Sequence, residues 1–211
     1  RNIANAFQKM KEGISEIRAI DPTFKISGRT VIHQMNFRFW PQIIQSAKLL
    51  DLDNISFLPA DVSSSAFNRE MLWDENRQHE ILLSKNDLVE LKKIINTIFT
   101  ENSVEFENKF IAESKEKIKN IYNYYAAFYG LNDFPFKKCN APWVSTVVEA
   151  DGTVRPCFFH PAIGNIKADS LENILNSEQA IEFRRNLDID KNETCKKCVC
   201  YLNLSPGSKI A

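Results

Sequence analysis

All five cysteines of this 211-residue chain fall between Cys139 and Cys200, and their spacing constrains the chain more than any other feature. Cys139 is followed by twelve residues, then Gly152, then four residues and Cys157. The second group reads Cys195-Lys196-Lys197-Cys198-Val199-Cys200. A pair brought together by a hairpin, plus a distant C-x-x-C, is the layout of a four-thiolate metal site. One tight turn lets both sulfurs of the C-x-x-C face one centre. Disulfides fit badly, because the cysteine count is odd and three of the five sit within six residues, too crowded for well-formed bridges. The expected chemistry is thiolate–metal ligation in a reducing, cytoplasmic compartment.

Charge and hydropathy exclude some partners. Lys plus Arg and Asp plus Glu are both 27, a formal net charge of zero, so nothing calls for a nucleic-acid partner. No apolar run reaches the length of a membrane span, and no secretory leader pattern is present.

Upstream of the cysteines the pattern is α/β. Ile3, Phe7, Met10, Ile14 and Ile17 recur on one helical face, and Asp21-Pro22 ends that helix. Residues 24–33 read as a strand, 39–50 as a helix with Pro41 in its first turn, and 54–58 as a short apolar strand covered on both faces. Helix, strand, helix, strand is the rhythm of a parallel sheet, whose ligands bind beyond the strands' C-terminal ends. Those ends carry His33, Asn36 and Asp61. Residues 62–83 read as a loop with some helical character. A helix is expected from Ser84, capped by Asp87, and a second from about Val104 to Tyr129, stopped by Gly130.

The cysteine stretch opens with a predicted hairpin, Trp143 to Ala150 and Thr153 to Phe159, around Asp151-Gly152. Its antiparallel return brings Cys139 and Cys157 to the same end. Gly164-Asn165 turns the chain, and helices over 171–175 and 178–187 return it to Cys195 and Cys198. Spacing alone accommodates either zinc or an iron–sulfur cluster, since both take four thiolates.

Several non-cysteine positions around these ligands carry a resemblance. Cys139-Asn-Ala-Pro-Trp143, Asp151-Gly152, Arg155-Pro156-Cys157, Gly164-Asn165-Ile166, Asn176-Ser177-Glu178 and Cys195-x-x-Cys198 resemble the SPASM/twitch auxiliary-cluster domain of radical SAM enzymes. The earlier stretch resembles the end of the radical SAM partial barrel, with Val31 to Asn36 like its fifth strand and Ile55 to Asp61 like its sixth. The resemblance implies an α/β chain (α+β overall): residues 1–70 the last strands and helices of a partial (β/α)6 barrel, 71–135 a helical linker, and 136–211 a small SPASM/twitch-like domain with a β-hairpin and short helices. It implies that Cys139, Cys157, Cys195 and Cys198 ligate one auxiliary [4Fe–4S] cluster, with Cys200 a spare thiol or alternative ligand.

The radical SAM signature C-x3-C-x2-C does not occur in these residues. The resemblance therefore implies either the C-terminal portion of a longer enzyme, which is the favoured expectation, or a degenerate relative, inactive by itself in both cases. In that parent, S-adenosylmethionine and a second [4Fe–4S] cluster would generate the radical. Asn36 and Arg1 would approach the S-adenosylmethionine, and Asp61 is the candidate catalytic group. The implied partners are a peptide or small-molecule substrate and an electron donor or acceptor protein. The competing expectation is a non-enzymatic interaction module stapled by zinc on the same four cysteines.

Overall fold

A computed structural model of the chain describes residues 3–64, 66, 69 and 71–205. Its elements run α1 (Ala6–Ile20), β1 (Ser27–Ile32), α2 (Trp40–Leu49), β2 (Asn54–Pro59), α3 (Glu75–Ile81), α4 (Lys85–Glu101), α5 (Ser103–Glu107) and α6 (Lys115–Ala127). They continue with α7 (Ala141–Val144), β3 (Val147–Val148), β4 (Thr153–Arg155), β5 (Gly164–Asn165), α8 (Leu171–Leu175), α9 (Glu178–Asn186) and α10 (Glu193–Lys196). The chain divides into two units, Arg1–Ala60 with Ile81–Tyr129, and Asp61–Glu80 with Gly130–Ala211. The helical stretch expected as a linker thus belongs, from Ile81 to Tyr129, to the first unit.

In the first unit β1 and β2 pair in parallel, in register from Ser27↔Asn54 to Ile32↔Pro59. Parallel neighbours need a crossover, and α2 supplies it. Pro41 sits in its first turn, where a backbone N–H would be unsatisfied anyway. Trp40, Ile44 and Ala47 are its buried face, with the Trp40 ring 5.1 Å from that of Phe57 on β2. α4 begins as expected: Ser84 and Asp87 cap each other reciprocally, and Leu88, Leu91, Ile95 and Ile98 are buried.

The single helix expected over 104–129 is two helices, separated by a strand-like segment. Asn108 accepts from the Phe110 N–H at 2.9 Å, and Lys109 takes a left-handed φ of 64°, which breaks the helix. Phe110 to Ala112 then runs beside β2: Ile55 N–H donates to Phe110 O at 2.7 Å, and Ala112 N–H to Ile55 O at 3.0 Å. Buried Ile111 pairs with Ile55, so this stretch belongs beside the sheet and not to a helix. Ser114 restarts the helix by accepting from Lys117 N–H. On α6, Ile118, Ile121, Tyr124 and Tyr125 are in the core. The Tyr125 hydroxyl donates to Ile32 O and accepts from Ala60 N–H at 2.8 Å, tying together the C-terminal ends of both strands.

α1 forms as expected, but its apolar face is not buried: Phe7, Met10 and Ile17 are exposed, Phe7 by 58%. Its C-terminal end is held by Arg18, which donates to Phe24 O and pairs with Asp53 at 2.9 Å.

The second unit has a smaller core of Val154, Ile163, Ile174 and Ala180. The hairpin is shorter than expected, and Trp143 lies in α7 rather than in a strand. Gly164-Asn165, expected only as a turn, pairs antiparallel with the other side of β4, completing a three-stranded sheet. Gly164 must be small there, because a Cβ would lie 2.7 Å from the Ile174 side chain.

Candidate metal centre

Each cysteine is placed by a local device. Cys139 precedes α7, and its neighbour Asn140 is clamped to the C-terminal tail. Asn140 N–H donates to Leu202 O at 2.8 Å, its Nδ2 to Leu204 O at 2.7 Å, and its Oδ1 accepts from Leu204 N–H at 3.0 Å. Cys157 follows β4 by one proline. The pairing Val147↔Arg155, reinforced by Thr146 Oγ1 donating to Arg155 O at 2.7 Å, returns the chain toward the start of β3, and α7 and Cys139 precede that strand. Cys195 sits in α10, whose cap Asn192 accepts from the Cys195 N–H at 3.1 Å. Cys198 N–H then donates to Cys195 O at 3.2 Å, closing the C-x-x-C turn.

These devices bring all five cysteines onto one cavity, together with Lys137 and His160. None is in a disulfide. Among the described residues, no three Cys, His, Asp or Glu side chains stand in position to share one metal ion. A single zinc ion would require the sulfurs to move to about 2.3 Å from a common point.

The thiols are electrostatically unusual. Burial, with Cys157 and Cys139 nearby, pushes the Cys195 thiol up to about 11. Burial likewise pushes Cys198 up to about 12 and raises Cys157. Lys137 works the other way: burial lowers its pKa, while Cys198, Cys195 and Cys139 favour its charged form. Its Nζ donates to Lys196 O at 2.9 Å, which holds the amine beside the C-x-x-C. Thiols held protonated in this way are poor nucleophiles, which argues against a thiol–disulfide exchange site on Cys195 and Cys198. A metal centre bound there would have to displace those protons with its own positive charge.

Residues 139–199 match SPASM, an iron–sulfur cluster-binding domain. The SPASM match covers 61 of the 211 residues, takes in Cys139, Cys157, Cys195 and Cys198, and ends one residue before Cys200. No curated protein and no solved structure matches the chain. The donor chemistry agrees with the SPASM match: four thiols on one cavity are the ligand set that iron–sulfur clusters take.

The other residues singled out in the sequence are spread over both units. Asn36 closes the end of β1, its Oδ1 accepting from His33 N–H and its Nδ2 donating to Val31 O, each at 2.9 Å. Arg1 lies outside the described residues. Asp61 is engaged: its carboxylate accepts from Ser63 and Ser64 and pairs with Arg69 at 3.0 Å, leaving its side chain 2% exposed. Neither spacing nor residue type marks Lys137, and the Cys139-Asn-Ala-Pro-Trp143 motif contains Asn140 without showing that it clamps the tail. His160, three residues after Cys157, places its Nε2 3.3 Å from Cys195 Sγ.

Proposed function

We propose that Cys139, Cys157, Cys195 and Cys198 ligate one auxiliary [4Fe–4S] cluster, and that this chain is the C-terminal portion of a radical SAM/SPASM enzyme. The observation that carries the reading is the SPASM match over 139–199, whose four cysteines share one cavity. A cluster bound there would supply one-electron transfer. The chain's own residues hold it: the β3–β4 hairpin presents Cys157, the capped α10 turn presents the C-x-x-C, and the Asn140 clamp fixes the backbone beside Cys139. Pro142, Phe159 and Ile189 line the same cavity and limit water at the sulfurs. Cys200 is exposed, and in this reading it is the spare thiol.

In the same reading the parent acts in the cytoplasm on a peptide or small-molecule substrate and exchanges electrons with a partner protein. Its S-adenosylmethionine chemistry depends on a cluster motif that these 211 residues do not contain. In that parent, Asn36 at the end of β1 would lie near the cofactor. Among the described residues, no helix is long and apolar enough to cross a membrane.

Anaerobic reconstitution with iron and sulfide tests the ligand assignment. The wild type and Cys200→Ala are expected to turn brown and to give a paramagnetic signal on reduction. Alanine at Cys139, Cys157, Cys195 or Cys198 is expected to abolish or sharply reduce both. A colourless wild type carrying one zinc ion would overturn the reading in favour of a zinc-stapled module.

A further inference from the structure

His160 reaches across the site. Its backbone belongs to the Cys157 turn, where His160 N–H donates to Cys157 O at 3.5 Å, yet its ring meets the opposite half, Nε2 to Cys195 Sγ at 3.3 Å. The residue is only 6% exposed. The residue is held in place from two sides, at its ring and at its backbone carbonyl. Phe183 on α9 meets it edge-on, centroids 4.9 Å apart. Arg155 donates to His160 O at 3.2 Å and is itself anchored to Glu149 at 3.1 Å. A buried, oriented imidazole at hydrogen-bond distance from one particular sulfur is a built arrangement.

The direction of that hydrogen bond follows from the ligand's chemistry. A cysteine that ligates iron is a thiolate, which can only accept. Nε2 must then carry the proton. A donor aimed at a ligand sulfur stabilises the more negative, reduced state of a cluster more than the oxidised state, so it raises the reduction potential. We infer that His160 is a positioning residue that donates from Nε2 to Cys195 Sγ, orienting that ligand and raising the potential of the bound cluster. This rests on the cluster reading given above and extends it to a residue outside the ligand set.

The test compares the full chain with His160→Phe and His160→Gln. Phenylalanine keeps a ring to pack on Phe183 but cannot donate. Glutamine can place an N–H where Nε2 was. After anaerobic reconstitution, iron and sulfide per chain are measured first, then the potential by a redox titration followed by paramagnetic resonance. The expected result is wild-type iron content in both variants. The reduction equilibrium of the Phe variant falls about tenfold, equivalent to about 59 mV for a one-electron couple, and glutamine restores most of the shift. Equal potentials in wild type and the Phe variant overturn the inference. So does a Gln variant that loads its cluster at the Phe variant's potential. Loss of the cluster from both variants, with circular dichroism unchanged, makes His160 a structural element only and also overturns it. A wild type that takes up no iron has a different meaning: the cluster reading itself fails, and the inference falls with it.

Discussion

Gly152 sits at the tip of the hairpin that carries Cys157, and Gly152→Ala is expected to loosen it measurably. The residue has φ +89°, a conformation that costs an L-residue about 1–2 kcal/mol. An added Cβ would also stand 2.7 Å from Asn165 Oδ1. That oxygen accepts from Lys167 N–H at 2.9 Å, while Asn165 Nδ2 donates to Asp151 O at 3.3 Å. Moving Asn165 aside gives up about 1 kcal/mol of hydrogen bonding. Reduced freedom of the unfolded chain returns about 0.4–1 kcal/mol. The net cost to the hairpin is about 1–2.6 kcal/mol, a factor of about 5–80 in its opening equilibrium. Hydrogen exchange reads this directly at the amides that opening exposes: Glu149 (bonded to Thr153 O), Ile163 (to Val154 O) and Ile166 (to Gly152 O). Exchange at these three is expected to accelerate by that factor, with amides of α4 unchanged. Unchanged exchange at all three would show that neither the backbone conformation nor the close contact constrains this turn.

Three further outcomes are expected. Asn140→Ala removes two side-chain hydrogen bonds to Leu204, worth about 1–3 kcal/mol together, so Leu204 amide exchange rises steeply; unchanged protection would mean that the tail is held elsewhere. Tyr125→Phe leaves Ile32 O and Ala60 N–H without their partner and is expected to destabilise the first unit by about 1–3 kcal/mol, read as a lower urea midpoint; an unchanged midpoint would refute the tie between strand ends. In metal-free protein near pH 8, thiol pKa values of about 11 and about 12 leave only about one Cys195 in a thousand and one Cys198 in ten thousand as thiolate. Their alkylation, followed site by site by mass spectrometry, is expected to be slow there and to rise about tenfold per pH unit; rates of an ordinary cysteine would contradict the burial. Because these pKa values lie above the unfolded value of about 8.5, the folded state holds protons that the unfolded chain loses. The associated stability is fully present below about pH 8.5 and is lost as pH rises through about 11 for Cys195 and about 12 for Cys198.

How much was legible in the sequence depended on whether the signal was local. Ser84 with Asp87, Pro41, Gly130 and Asp151-Gly152 each impose a local geometry, and the structure has a cap, a helix start, a helix stop and a hairpin turn at those places. The helix expected through residues 108–114 failed because Phe106, Phe110 and Ile118 can be read at helical spacing, while the pairing of Ile111 with Ile55 is a tertiary event that no local pattern announces. The exposure of α1's apolar face is the converse case: periodicity showed that a face exists but not what would cover it. At the candidate site, the cysteine spacing pointed to a shared centre, and the structure places all five thiols on one cavity. Lys137, Asn140 and His160 acquire their roles only when distant segments meet, through Lys196, Leu204 and Cys195 respectively.

A Mössbauer spectrum of the wild type reconstituted with iron-57 shows whether four cysteines of this chain hold one four-iron cluster. Essentially all bound iron, about four per chain, is expected in one population of sulfur-coordinated sites characteristic of a [4Fe–4S] centre. Iron bound only adventitiously, with the thiols instead saturated by a single zinc ion, would contradict it.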